Sequence, residues 1–132
     1  MNNCELKKLL PVDKFDTSSM PTLIKLSEDE IKPILPELIL WTADLNWPIA
    51  PETIKILVKF SSSTVPIIRN ILSPTETDEE FKWSIIVGLV PELTKESQEC
   101  LIRDIKRIVD SPTDSEIASE VWEAAKNYAE QH

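Results

Sequence analysis

The sequence holds one glycine, Gly88, against ten prolines in 132 residues. Hairpin turns and barrel corners usually draw on glycine, because only it enters the left-handed backbone region without penalty. So few glycines argue against a β-rich fold, and a single one cannot build a loop that cradles phosphate. His132 is the only histidine, so a histidine-based triad, proton shuttle or metal site is not expected. Cys4 and Cys100 are the only cysteines. They lack CxxC spacing, and no disulfide framework is expected of them. Cys100 falls at an apolar helical position, where an inert buried thiol is the expectation.

Positive charge is also short. Fourteen Lys and Arg face twenty-three Asp and Glu, a net charge of −9. Nucleic-acid binding needs a concentrated basic face, yet the densest basic segment, "RDIKR" at 103–107, carries an acid inside it. Neither nucleic acid nor a membrane is therefore an expected partner, and a basic protein suits the charge better. No apolar run approaches the roughly 18 residues of a membrane span. The opening "MNNCELKKLLPVDK" shows no apolar signal core, so a cytoplasmic location is expected.

What the chain does have is helical periodicity between breaks made by Pro, Ser, Thr, Asp and Asn. An apolar share of 42% and a charged share of 28% suit one globular domain over residues 1–132. "SEDE" at 27–30 is a capping box, Ser27 with Glu30, and should open a helix running towards Asp44. Its apolar face is Ile31, Ile34, Leu35, Leu38, Trp41 and Leu45, with a kink or restart expected near Pro33. Further helices are predicted at about 49–60, 65–72, 78–92, 95–110 and 114–130. The last should turn Ile117, Val121, Trp122, Ala125 and Tyr128 to the body and act as a terminal cap.

Apolar pairs also recur. Ile34-Leu35, Ile67-Ile68 and Cys100-Leu101 are spaced by 33, each followed by Ile39, Leu72 or Ile105. Such a period implies stacked helix pairs, each too small to bury its own apolar face. The predicted fold is all-α, a short right-handed α-α superhelix. It has a helical extension over 1–26, helix pairs over 27–110 and a capping helix over 111–132. An irregular helical bundle with chance similarities is the alternative.

Two stretches invite a functional reading. "TADLNWPIAPE" at 42–52 joins two predicted helices. Asp44 and Asn46 can each satisfy backbone groups left unpaired at helix ends. Pro48 and Pro51 suit a first helical turn, and Trp47 can cover the joint. The stretch is thus a rigid corner, or else a contact surface in which Asp44, Asn46, Trp47 and Pro48 join residues near Trp83. The acids of "SPTETDEE" at 73–80 lack a calcium loop's spacing and glycine, and read as the start of a helix. Gly88 inside a predicted helix implies close approach by a neighbour, with a tryptophan as the expected one.

Four segments carry a resemblance: "LLPVDKFDT" (9–17), "IKPILPELILWTADLNWPIA" (31–50), "FKWSIIVGLVPEL" (81–93) and "SPTDSE" (111–116). Together they resemble a bacterial family named for domain of unknown function 5071, in order and over nearly the whole chain. The elements at 44–48 and around Trp83 are its specific parts, whereas Phe15, Thr42-Ala43, Lys82 and Ser84 depart from the family pattern. The resemblance implies a small HEAT-type (armadillo-like) helical repeat and no established activity. The functional expectation is a non-catalytic protein-interaction module with no cofactor or metal, regulatory or immunity-like by analogy of fold. Alternatives are a hydrolase using two carboxylates, a small-ligand domain, or a structural subunit with apolar contacts.

Overall fold

The expected capping box opens the first sizeable helical stretch of the computed structural model, which describes residues 2–132. Ser27 Oγ accepts from the Glu30 amide at 3.2 Å, and Glu30 Oε1 accepts from the Ser27 amide at 3.0 Å. Before it come α1 (Asn3–Lys7) and α2 (Met20–Leu23). After it, Pro33 and Pro36 interrupt the helix more thoroughly than a single kink. α3 (Glu28–Ile31) passes into a 3-10 turn at Lys32–Ile34, then α4 (Leu35–Leu38), then a second 3-10 turn at Ile39–Thr42. Each proline lies in the first two positions of a new segment, where its missing N–H is least costly. The apolar face survives these breaks: Ile31, Ile34, Leu35 and Leu38 are all buried.

The chain then forms α5 (Ala50–Lys59), α6 (Ser61–Ile71), α7 (Glu79–Ser84), α8 (Lys95–Asp110), α9 (Asp114–Ala118) and α10 (Val121–Gln131). α6 begins four residues earlier than predicted, with Pro66 inside it. Pro66 and Ser62, whose carbonyl loses a donor, are both exposed, so that carbonyl faces solvent. The predicted helix at 114–130 is two helices. Ser119 is extended, and its hydroxyl accepts from the Val121 amide at 3.3 Å, a local bond that competes with the helix. This break removes Ile117 from the buried face and leaves it 47% exposed, contrary to expectation.

Residues 78–92 are helical as predicted, but not uniformly. α7 continues into a π turn at Ile85–Leu89 and a 3-10 turn at Val90–Glu92. Gly88 lies in the π turn, and its close neighbour is Leu45 rather than a tryptophan. A Cβ there would lie 2.5 Å from Leu45 Cδ2. Ser84 Oγ donates to the Ala43 carbonyl at 2.9 Å, tying the same two segments together.

Buried apolar residues from Leu6 to Tyr128 form one cluster, and no strand occurs among the described residues. Leu35, Ile68 and Leu101 are wholly buried, as are Ile39, Leu72 and Ile105 to within 1%. Cys100 departs from the register: its thiol is exposed, because position 100 of α8 lies beside the buried stripe rather than on it. Among the described residues, seven side-chain hydrogen bonds join positions 34–36 apart in sequence, such as Ser63 to Glu28 and Arg69 to Asp104. No helix among the described residues is long and apolar enough to cross a membrane.

Candidate functional site

Asp78 fixes where α7 starts. Its Oδ1 accepts from the Phe81 amide at 3.0 Å, and Glu79 and Glu80 follow in the first turn, where acids favour the helix dipole. The turn then sends Phe81 and Lys82 inward and leaves Trp83 half-buried against α10. Trp83 lines two adjoining recesses. One, of about 390 Å³, runs between Ile86, Val87 and Pro91 on one side and Glu120, Glu123 and Ala124 on the other. The second, of about 320 Å³, is enclosed by Glu79, Glu80, Trp83, Ser119 and Glu120. Among the described residues, the charged ones lining them are four carboxylates, Glu79, Glu80, Glu120 and Glu123, with no Lys or Arg.

Beneath this wall lies a buried ionic network. Lys82 Nζ is 2.9 Å from Glu116 Oε2 and 3.6 Å from Glu79 Oε1. Arg107 holds both Glu116 oxygens, at 2.6 and 2.9 Å, and also donates to the Leu72 carbonyl at 2.7 Å. Glu116 Oε1 further accepts from the Thr113 amide at 2.8 Å, which closes a second capping box at the start of α9. Burial alone would raise the Glu116 carboxyl. Hydrogen bonds from Arg107, the Thr113 amide and Lys82 outweigh it and hold the group at about 2. Glu79 is fastened at Oε1 by Ser115 Oγ at 3.0 Å, while its buried Oε2 has no hydrogen-bond partner among the described residues.

The sequence reading missed Lys82 and Glu116 as a pair, since their contact spans 34 residues. Part of the signal was legible: Thr113 and Glu116 have the capping-box spacing.

The corner at 44–48 is built differently from expectation. Asp44 Oδ1 accepts from the Asn46 amide at 2.8 Å, and the Trp47 amide donates to the Asp44 carbonyl at 3.1 Å. The Asn46 side chain is exposed and makes no hydrogen bond among the described residues, so it caps nothing. Ile49 occupies the N-cap position of α5, and the Ile49 amide donates to the Lys14 carbonyl at 3.0 Å. Pro51 lies in the first turn as expected, whereas Pro48 precedes the helix and lines a recess with Thr17 and Met20. Trp47 meets Trp41 edge-on, with ring centres 5.9 Å apart. Those two rings line a groove of about 550 Å³ with Leu10, Pro11, Glu37 and Leu40. Trp47 and Trp83 thus serve separate grooves.

His132 stacks on Tyr128 at 4.3 Å. Among the described residues, no three His, Cys, Asp or Glu side chains converge as a metal site requires.

A family model described as "Domain of unknown function (DUF5071)" matches residues 9–129. The chain belongs to that family. No curated protein matches it.

Proposed function

We propose that this member of the family is a non-catalytic protein-interaction module that receives a basic segment of a partner protein in the groove beside Trp83. The observation that carries this reading is the groove's lining: an indole and aliphatic floor, four carboxylates and no cation. Such a surface buries the stem of a long basic side chain and neutralises its head. The net charge of −9 adds long-range attraction for the same kind of partner.

The scaffold under this reading is a short right-handed α-α superhelix of HEAT type. Its support is the near-constant offset of 34–36 residues in the long-range hydrogen bonds, as stacked, similar helix pairs would give. A non-catalytic role agrees with the shifted carboxyls. Asp16, Glu28, Glu30 and Glu116 are all lowered towards the charged form, the reverse of what a general acid needs. An immunity-type protein that neutralises a basic toxin is one form of this role.

The test is titration of the protein with a lysine- and arginine-rich peptide at low and at high salt, followed by tryptophan fluorescence. Binding should weaken as salt rises, and Trp83→Phe should remove most of the signal. Absence of binding at low salt, or affinity indifferent to salt and to Glu120→Lys with Glu123→Lys, refutes the reading.

A second reading, a structural subunit with apolar contacts, draws on the Trp41–Trp47 groove, where Leu40 is 54% exposed. It requires concentration-dependent association in sedimentation experiments, abolished by Leu40→Glu.

A further inference from the structure

Resting on the subunit reading of the Trp41–Trp47 groove, we infer that the occupant of that groove is a second copy of this chain. The loop bearing Val12 and Phe15 of one copy seats in the groove of the other, and the contact repeats about a two-fold axis.

The loop stands at the rim of the groove. Pro11 lines the groove, and the Lys14 carbonyl accepts from the amide of Ile49, two residues beyond the lining Trp47. Within this loop Val12 is 82% exposed and Phe15 67%. The loop is also braced. Asp16 Oδ2 accepts from the Val12 amide at 3.0 Å, its Oδ1 accepts from Ser18 Oγ at 2.6 Å, and Asp13 Oδ1 accepts from the Phe15 amide at 2.9 Å. Two bulky apolar side chains held in water by a braced loop give up little freedom when they dock.

A two-fold contact has to be self-complementary, with a projection and a recess on one face. This face has both. Among the described residues five large apolar side chains are exposed, and three of them, Val12, Phe15 and Leu40, belong to this loop and groove. The groove, of about 550 Å³ and walled by Trp41, Trp47 and Leu40, has room for a phenyl ring and offers indole edges to it. The charges match as well. Lys14 Nζ lies over the Phe15 ring, 5.4 Å from its centre, so it arrives with that side chain. Glu37 is the charged residue lining the groove that receives it.

Electrostatics also select this face. Copies of a chain at −9 repel one another, least where charge is locally balanced. Residues 1–20 hold three lysines (Lys7, Lys8, Lys14) and three acids (Glu5, Asp13, Asp16), so the entire net charge lies on residues 21–132. A lipid surface fits less well. It has nothing to place in a recess, and balanced charge gives no pull towards anionic headgroups.

The test is sedimentation equilibrium from micromolar to millimolar protein. The patch is small beside the roughly 20–30 residues a side of a standard interface, so a weak, micromolar pair is expected. Raising salt should tighten it about threefold or more by screening the mutual repulsion, opposite in sign to a basic partner at the Trp83 groove. Phe15→Asp and Leu40→Glu, both at exposed positions, should each weaken association about tenfold or more in proteins that melt normally. Lys14→Glu and Glu37→Lys should each weaken it about threefold, although the second lowers the net charge, and the double variant should restore it. Loss of association in Leu40→Glu but not in Phe15→Asp overturns docking by the loop and leaves the subunit reading standing. Tighter association in Glu37→Lys alone overturns the pairing with Lys14. A monomer at every concentration and salt overturns both the inference and the subunit reading. A monomer that binds phosphatidylcholine–phosphatidylglycerol vesicles through Phe15 assigns the loop to a lipid surface and overturns the second copy.

Discussion

Lys82 and Glu116 form a 2.9 Å ion pair in which neither side chain is exposed. The two partners are not equivalent. Glu116 also grips Arg107 with both oxygens and caps α9, whereas the only other carboxylate paired with Lys82 among the described residues is Glu79, at 3.6 Å. Removing Glu116 strands a buried ammonium, and Glu116→Ala should cost about 3–5 kcal/mol. Lys82→Met leaves Glu116 its bonds from Arg107 and the Thr113 amide, so it should cost less, about 1–2 kcal/mol. Urea unfolding of both variants checks the asymmetry, and equal losses would contradict it.

Acid should loosen the same network. The Glu116 carboxyl is held at about 2 in the fold against 4.5 unperturbed. As pH falls below 4.5 the unfolded chain takes up this proton while the folded chain still resists it. The stabilisation is therefore complete above that value and drains away towards pH 2. Between pH 6 and pH 3 this one group should account for a loss of about 2 kcal/mol. Comparing the unaltered protein with Glu116→Gln in urea at both pH values isolates it, since the second protein lacks the group and Lys82 is kept in both.

The contact between Gly88 and Leu45 predicts a sign change. Gly88→Ala should gain up to about 1 kcal/mol of helix propensity, because the backbone there is not left-handed. The new methyl group would meet Leu45 Cδ2 at 2.5 Å and Cγ at 3.3 Å, so more than the side-chain tip must move. The single substitution should destabilise by about 1 kcal/mol net. In a Leu45→Ala background it should become neutral or stabilising. A thermal double-mutant cycle with no coupling between the two positions would remove the steric account.

The corner predicts a graded series. Asn46→Ala should cost less than about 0.5 kcal/mol, since the side chain is exposed and bonds to nothing among the described residues. Asp44→Ala breaks the turn bond at 2.8 Å and should cost about 1 kcal/mol. Trp47→Ala loses the edge contact with Trp41 and half-buried area, about 2 kcal/mol. Melting temperatures that fall most for Asn46→Ala would show that the corner is held some other way.

Features that depend on neighbouring residues were legible in the sequence. The Ser27–Glu30 box, the interruption at Pro33 and the span of α8 all follow from spacing within one or two turns. Features that depend on docking were not. Lys82 sits in a stripe that ordinary reasoning would solvate, and only Glu116, brought alongside from 34 residues away, makes its burial tolerable. Trp83 was visible as a candidate from its aromatic character. Its acidic companions Glu120 and Glu123 were not, because their convergence depends on how α10 lies against the π turn. For the same reason the sequence could not separate the surroundings of Trp47 from those of Trp83.

The near-constant 34–36 residue offset also bears on how the chain acquires its structure during synthesis. Every side-chain hydrogen bond described joins residues no more than 41 apart, the longest being Ser84 to Ala43. Closing loops of this length costs little more than closing shorter ones, because the entropy grows only with the logarithm of length. A segment leaving the ribosome thus finds its partner once roughly 35 further residues have emerged, about 2–7 s later at usual elongation rates. Stalled chains ending after residue 72 and after residue 110 should therefore show stepwise protease resistance, with the amino-terminal helices secured while α10 has yet to be made.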